Sequence, residues 1–176
     1  MESVSEKLPV SVLRTHLQME DIAAFRPAWS QAPELLIVPI TFCPNSFYRY
    51  LYGEVGQEYH WVDRLEWSEE ELRTYLNDPN LLLRVLYVGG APAGYYELIK
   101  EQDGSVQIAY FGLLPEFIGQ GLGKHLLSTA IAEAWEQNPT RVWLHTCSLD
   151  SPVALPNYLA RGFTPYREET YTAYLH

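Results

Sequence analysis

The sequence has few cysteines, no long apolar run and no cluster of positive charge. Of 176 residues only Cys43 and Cys147 are cysteines, and neither stands in a CxxC or metal-ligand spacing, so we expect reduced thiols and no metal site. No segment approaches the roughly 20 apolar residues of a membrane-spanning helix. Residues 1–10 lack the apolar run of a signal peptide. These absences predict a cytoplasmic protein outside the membrane.

The charge balance is acidic. There are 22 acidic and 12 basic residues, a formal net charge of −10. Binding to nucleic acid needs clustered lysine and arginine to neutralise phosphates, so we expect no nucleic-acid partner. An acidic surface suits a cationic partner such as an amine or a basic protein tail, although it is also a common means of solubility. The hydrophobic fraction of 47% is typical of a globular chain, and the length fits one domain.

Residue patterns in the first half predict alternating strands and helices. Apolar, β-branched runs indicate strands at residues 10–17 and 34–40. We expect short helices at residues 18–25 and 45–53, the second capped by Asn45. Ser68 and Glu71 have capping-box spacing, which predicts a helix that runs to about Asn77 and stops before Pro79.

The second half predicts an antiparallel meander followed by alternating helices and strands. Gly89-Gly90 and Asp103-Gly104 are turn signals between apolar runs. The predicted strands are residues 81–88, 93–100, 105–114, 141–147 and 168–174, and the predicted helices are residues 121–137 and 152–160. The sequence therefore predicts an α/β fold with a mixed, mainly antiparallel central sheet flanked by helices.

A glycine-rich turn, Phe117-Ile118-Gly119-Gln120-Gly121-Leu122-Gly123-Lys124, joins a predicted strand to a predicted helix. Glycines there let an anion reach the backbone, and the free amides of the first helical turn point at it. A Walker loop needs Ser or Thr after Lys124, where His125 stands, and glycine at Ile118. A dinucleotide fingerprint needs glycine at Lys124. Both alternatives fail, so the turn by itself predicts an anion site of open identity.

Two motifs together resemble the GNAT acetyltransferase family. Leu113-Leu114-Pro115-Glu116-Phe117 followed by the glycine turn is similar to the family's strand end and pyrophosphate loop. Ala154, Tyr158, Gly162 and Phe163 match its second motif, in the same order and spacing. The resemblance covers roughly residues 81–174. Two positions depart from the pattern, because Ile118 replaces a glutamine or arginine and Ser151 replaces an asparagine.

The resemblance implies an N-acetyltransferase, an acyltransferase that uses acetyl-CoA as cosubstrate and needs no metal. In a single domain of residues 1–176, residues 81–176 are then the acetyl-CoA-binding core. Residues 1–80 are the variable acceptor-side part, with the family's first strand and two helices. Tyr158 is the implied general acid. The implied cofactor-binding residues are Phe111, Leu113, Leu114, Ile118, Gly119, Gln120, Gly121, Leu122, Gly123, Lys124 and Ser151.

The general base is fixed by no motif. Glu97 and His145 are tentative candidates because they lie on predicted strands of the central sheet. Tyr110 and Asp150 are further candidates, and a chain of water molecules is an alternative to any side chain. Each of these residues can equally serve a structural role.

The stretch 59–64 is dense in aromatic and charged residues. Tyr59, Trp61 and Asp63, with Tyr110, are tentative substrate-binding residues, since a carboxylate and aromatic faces suit an ammonium group. The alternative is a core of aromatics beside a structural ion pair of Asp63 and Arg64. The acceptor amine can be a small molecule or a protein amine.

Two rival functions stay open. One is a non-catalytic acyl-CoA-binding or sensor module, to which Ile118 and Ser151 point. The other is a nucleotide-binding protein that uses the glycine turn. A homodimer is also possible, because the last predicted strand can offer its edge to a second chain.

Overall fold

The computed structural model describes residues 7–175, so most of the stretch 1–10 considered above lies outside the described residues. The strands are β1 (Leu8–Met19), β2 (Leu35–Pro39), β3 (Leu81–Val88), β4 (Ala91–Lys100), β5 (Val106–Leu113), β6 (Val142–Cys147) and β7 (Thr164–Leu175). The helices are α1 (Asn45–Gly56), α2 (Glu69–Leu76), α3 (Leu122–Glu136) and α4 (Ala154–Arg161).

The strands form a seven-stranded sheet in the order β2-β3-β4-β5-β6-β1-β7. The pair β5–β6 is parallel and the other neighbours are antiparallel, which confirms the predicted mixed, mainly antiparallel α/β fold. β1 is not a neighbour of β3, which is paired with β2 and β4. It lies between β6 and β7, where Leu8 is paired with Leu175. The first and last strands of the chain therefore build one end of the sheet together.

The helix predicted at residues 18–25 is wrong. β1 continues to Met19, whose side chain is buried together with that of Leu17 under α3. Asp21 then accepts a hydrogen bond from the amide of Ala23 at 2.8 Å, which caps a single 3-10 turn at Ile22–Ala24. The burial of Leu17 and Met19, two residues apart on one face of the strand, thus outweighs the short polar stretch that suggested a helix.

Two further boundaries differ from the predictions. Pro44, not Asn45, is the N-cap of α1, and the Asn45 side chain donates to the Glu69 carboxylate at 2.7 Å. β7 begins at Thr164, four residues earlier than predicted. The capping box is confirmed, since Ser68 accepts from the Glu71 amide at 3.2 Å and Glu71 accepts from the Ser68 amide at 2.7 Å.

Helices cover the two faces of the sheet unequally. On one face α3 and α4 pack over β4, β5 and β6, with Leu127, Ala130 and Ile131 of α3 fully buried. On the other face α1 and α2 pack over β3, β4 and β5. The part of that second face formed by β6, β1 and β7 carries polar and aromatic side chains instead of a helix-covered core. This uneven coverage positions the candidate site at the border between β5 and β6.

Candidate active site

The strands β5 and β6 separate soon after they meet. They are paired at Val106 with Val142 and at Gln107 with Trp143, and at no residue beyond these. Immediately after this pairing β5 is bulged, because Ile108 and Tyr110 face consecutive residues of β4 and leave Ala109 unmatched. A bulge bends its strand and increases the local twist. The diverging strands line a cavity of about 770 Å³.

The glycine turn lies at the start of α3. Gly119 and Gly121 have left-handed backbone angles, with φ of +83° and +77°, and Gly121 is the N-cap of the helix. No side chain caps this helix, so the amides of its first turn have no intrahelical or side-chain partner. Gly119, Gln120 and Lys124 are exposed, while Leu122 is buried and anchors the turn to the core. This arrangement suits a phosphate-bearing ligand that binds through backbone amides.

The predicted cofactor-binding residues divide into two groups. Phe111, Leu113, Ile118, Gly123 and Ser151 line the cavity. The remaining residues do not line it; they are Leu114, Gly119, Gln120, Gly121, Leu122 and Lys124. The Leu114 side chain is buried in the core beneath α1 and α2, and its amide is not free for a ligand because it donates to the Ala93 carbonyl at 2.8 Å.

Tyr158 of α4 faces the cavity and is 8% exposed. Its ring is packed edge-on against Phe111 at 6.2 Å and Phe163 at 6.3 Å between ring centroids. Burial raises the pKa of the Tyr158 hydroxyl, and the charge of Asp150 raises it further. The hydroxyl is therefore protonated at neutral pH and can donate a proton inside the cavity.

The four tentative substrate-binding residues lie together. Tyr59, Trp61, Asp63 and Tyr110 all line the same cavity as Tyr158. The rings of Trp61 and Tyr110 form a T-shaped pair with centroids 4.8 Å apart. Asp63 is exposed to solvent. One wall of the cavity is therefore aromatic and carries a single free carboxylate.

Glu97 does not line the cavity. Its carboxylate is fully buried and accepts hydrogen bonds from Arg64 at 2.6 Å, Tyr75 at 2.7 Å and Tyr48 at 2.9 Å. The ion pair considered for Asp63 and Arg64 thus has Glu97 as its acidic member. The Arg64 guanidinium also lies 4.4 Å from the centre of the Tyr110 ring. Glu97 therefore anchors the segment that carries Trp61 and Asp63 to the sheet.

The other candidate base, His145 of β6, does line the cavity. Loss of solvation lowers its pKa to about 4, and the positive charges of Arg14 and His16 add to this effect. His145 is therefore neutral at pH 7. Asp150 also lines the cavity, but it accepts from the Thr146 hydroxyl at 2.6 Å and the Cys147 amide at 2.9 Å, which fixes the turn after β6.

Several cavity residues were not anticipated from the sequence. Arg14 of β1, Cys147 of β6 and Tyr171 of β7 line the cavity, as does Asn157, which lies beside Tyr158 on α4. Asn157 could have been found from its place next to the motif tyrosine. Arg14 and Tyr171 had no such signal, because they come from opposite ends of the chain. Cys43 and Cys147 are both free thiols.

Two negative findings concern residues 7–175. No helix in this range is long and apolar enough to cross a membrane. No group of three or more His, Cys, Asp or Glu side chains in the same range is arranged to hold a metal ion.

Sequence comparison gives one family and several relatives. A profile described as the acetyltransferase (GNAT) family matches residues 46–163. An uncharacterized N-acetyltransferase of Mycobacterium tuberculosis is 31% identical over 77 residues, which is 44% of this chain and 49% of the relative. A protein of the same description from Mycobacterium bovis gives the same values. The chain spans about half the length of the curated relatives it matches.

Solved structures share the fold. A GCN5-related N-acetyltransferase from Sphaerobacter thermophilus has a TM-score of 0.66 at 18% identity, covering 96% of this chain and 53% of the other. A GCN5-related N-acetyltransferase from Kribbella flavida has a TM-score of 0.65 at 17% identity, covering 96% of this chain and 60% of the other. At these identities the similarity establishes the fold.

Proposed function

Because the chain belongs to the acetyltransferase (GNAT) family, we propose that it transfers the acetyl group of acetyl-CoA to a primary amine by direct attack on the thioester. The observation that carries the proposal is the continuous cavity between β5 and β6. It is lined at one side by Ile118, Gly123 and Tyr158 and at the other by Trp61 and Tyr110. A thioester placed between the two strands therefore faces both a proton donor and an acceptor pocket.

The two sides of the cavity have different roles in the proposal. In the proposal the amides of residues 119–124 bind the pyrophosphate, and the Ile118 side chain adds only apolar contact. The backbone of β5 from Phe111 to Leu113 runs along the pantetheine arm, and Ser151 also lines the cavity. Residues 81–176 thus form the acetyl-CoA core. Residues 1–80 supply Tyr59, Trp61 and Asp63 to the acceptor side, and β5 adds Tyr110.

In the chemical step the amine nitrogen forms a bond to the acetyl carbon while the carbon–sulfur bond breaks. The departing thiolate gains one proton and the amine loses one. We assign the first transfer to Tyr158, whose protonated hydroxyl lies in the cavity. A backbone amide of the unpaired stretch of β5 can stabilise the oxygen as negative charge develops.

In the second proton transfer the amine must give its proton to a base. Of the two candidate bases, His145 faces the cavity in its neutral form, whereas Glu97 is buried against Arg64. We therefore propose His145, directly or through water, as the first residue to test. Asp63 is the candidate to hold the ammonium form of the acceptor beside Trp61 and Tyr110.

The test is acetyl-CoA turnover with a panel of small amines and peptides, followed by mass spectrometry of the acetylated product. Because Cys43 and Cys147 are free thiols, thiol-release rates need a blank without acceptor. Tyr158→Phe should lower kcat by about 10²- to 10⁴-fold, the usual contribution of general acid catalysis. Tyr50→Phe is the matched control, since Tyr50 is an exposed residue of α1.

Two results contradict the proposal. One is tight binding of acetyl-CoA in calorimetry with no acetylation of any amine and no effect of Tyr158→Phe on binding, which favours a non-catalytic acyl-CoA sensor. The other is tighter binding of ATP or NAD than of CoA, which favours a nucleotide-binding protein.

A further inference from the structure

The strands β6, β1 and β7 present cationic and aromatic side chains on one face of the sheet. In the antiparallel register Arg14 lies opposite Cys147 on one side and Glu169 on the other. His16 likewise lies opposite His145 and Arg167. Residues in register project to the same face, so these side chains are neighbours. In a chain with a net charge of −10, this face brings two arginines, Arg14 and Arg167, beside one carboxylate, Glu169.

One carboxylate contacts three basic side chains on this face. Glu169 accepts from Arg14 at 3.3 Å, from His16 at 3.2 Å and from Arg167 at 2.7 Å. The Nε atom of Arg14 is buried and has no hydrogen-bond partner among the described residues. The Arg14 guanidinium, which has five N–H donors, is otherwise stacked on the Tyr171 ring at 4.6 Å. Because Nε is buried, the donors that remain for an anion are those of the two terminal nitrogens, of which one also contacts Glu169, and the Arg14 side chain is 32% exposed.

Arg14 also lines the cavity that holds Trp61, Tyr110 and His145. The other carboxylates near it are engaged: Glu169 as described, and Asp150 by Thr146 and the Cys147 amide. A guanidinium with free donors matches the geometry of a carboxylate, which it can bind through two parallel hydrogen bonds. The acceptor side of the cavity thus offers a cationic group in addition to the free carboxylate of Asp63.

We propose that the acceptor is an amine that carries its own carboxylate, as an amino acid or a peptide does, and that Arg14 binds this carboxylate. The inference rests on the proposed acetyltransferase function and specifies its substrate class. Asp63 and Arg14 then contact opposite charges of one zwitterionic acceptor, and the aromatic wall of Trp61 and Tyr110 contacts its apolar part. Glu169 holds the guanidinium in place without saturating its donors.

The experiment compares acceptors that differ only in the carboxylate. Phenylalanine is compared with phenylalaninamide, and the dipeptide Phe-Gly with its amide, with kcat/KM corrected for the fraction of unprotonated amine. Acids should exceed their amides by about 10-fold or more. The two pairs separate a free amino acid from a peptide as the source of the carboxylate.

Variants locate the effect. Arg14→Met should reduce the acid-to-amide ratio of kcat/KM about 10- to 100-fold, the range for losing a charge-assisted hydrogen bond. Arg14→Lys should keep part of the ratio. Arg73→Met is the matched control, because Arg73 is exposed on α2 and is not among the residues that line the cavity. An intact fold of each variant is checked by its thermal transition.

The inference is overturned if amides are acetylated as well as their acids, or if Arg14→Met leaves the ratio unchanged. If only amines without a carboxylate are acetylated, this inference is overturned and the proposed function stands. If no amine is acetylated, both are overturned. Should Arg14→Met fail to fold, the wild-type protein gives the answer. 3-Phenylpropionate should then inhibit competitively against the amine about 10-fold more strongly than its amide, and equal inhibition refutes the role of Arg14.

Discussion

Replacing Glu97 by glutamine removes the charge of a carboxylate that anchors the acceptor wall. Glu97 is fully buried, and its partner Arg64 is 8% exposed. Burial alone lowers the pKa of Arg64, but the charge of Glu97 and the neighbouring tyrosines outweigh this and raise it. Arg64 therefore stays charged, and Glu97→Gln leaves a buried cation without its counter-charge.

The expected cost follows from that uncompensated charge. Removing one partner of a buried ion pair typically costs about 3 to 5 kcal/mol. Glutamine retains the size of glutamate and can still accept from Tyr48 or Tyr75, so we expect the lower end, about 3 kcal/mol. Domains of this size have total stabilities of about 5 to 15 kcal/mol, so the variant should fold but lose a large share of its stability.

The assay is urea unfolding at constant pH, with the free energy of unfolding obtained by linear extrapolation. Glu66→Gln is the matched control, because Glu66 is exposed in the segment between α1 and α2 that also carries Arg64. The unfolding midpoint of this variant should not change. In a double-mutant cycle, Glu97→Gln with Arg64→Met should lose about 2 kcal/mol less than the two single losses added together. Acceptor KM should also rise, while the Kd of acetyl-CoA stays constant.

Two outcomes refute this reasoning. A loss below about 1 kcal/mol shows that the pair is not the buried, charged contact described. A collapse of kcat with unchanged stability and unchanged acceptor KM shows instead that Glu97 acts in proton transfer, the role first considered for it.

Three other predictions concern the backbone and pH. Gly162→Ala should destabilise the protein by about 3 kcal/mol, because φ is +109° and the added Cβ lies 2.0 Å from the Ala24 carbonyl oxygen. Its control is Gly53→Ala, where the added Cβ has no atom within 4 Å and should stabilise α1 by up to about 1 kcal/mol. Equal shifts in the Tm of the two variants contradict this prediction. Folding lowers the pKa of His145 from 6.5 to about 4, so the unfolded chain binds more protons between these values. Stability should therefore fall as pH drops through this window, and His145→Gln should flatten the fall in urea titrations; an identical pH dependence speaks against it. Ser68→Ala should cost about 1 kcal/mol in urea unfolding through loss of the N-cap, and no change means that α2 does not depend on its capping box.

Local chemistry made much of the fold predictable. The capping box at Ser68, the glycine turns of the meander and the apolar face of α3 each depend on residues a few positions apart, and the structure has them all. The same holds for the strand–turn–helix at Gly121. The α/β fold class followed from the order of these elements. Where polar residues interrupted a buried strand, as after Leu17, the local pattern indicated a helix and was wrong.

The contacts between distant segments were not predictable. Glu97 could be placed on a strand, but its buried partner Arg64 lies on a segment with no regular pattern. Arg14 reaches the cavity because β1 inserts between β6 and β7, and no local propensity records which strands become neighbours. The acceptor-side aromatics were identified from their density alone, and their grouping around the cavity required the tertiary fold.

The insertion of β1 between β6 and β7 also has a consequence for biosynthesis. During synthesis β1 has no neighbour in the sheet until Val142 and the residues after it have been made, and its second neighbour, β7, is made later still. We expect the elements from β2 to α3 to fold first, while β1, with its apolar residues Leu17 and Met19, remains unpaired. Pairing across such a sequence separation is slow. The end of the sheet that carries Arg14 is therefore the last part of this sheet to form, and a nascent chain stalled before β6 exposes an unpaired strand prone to aggregation.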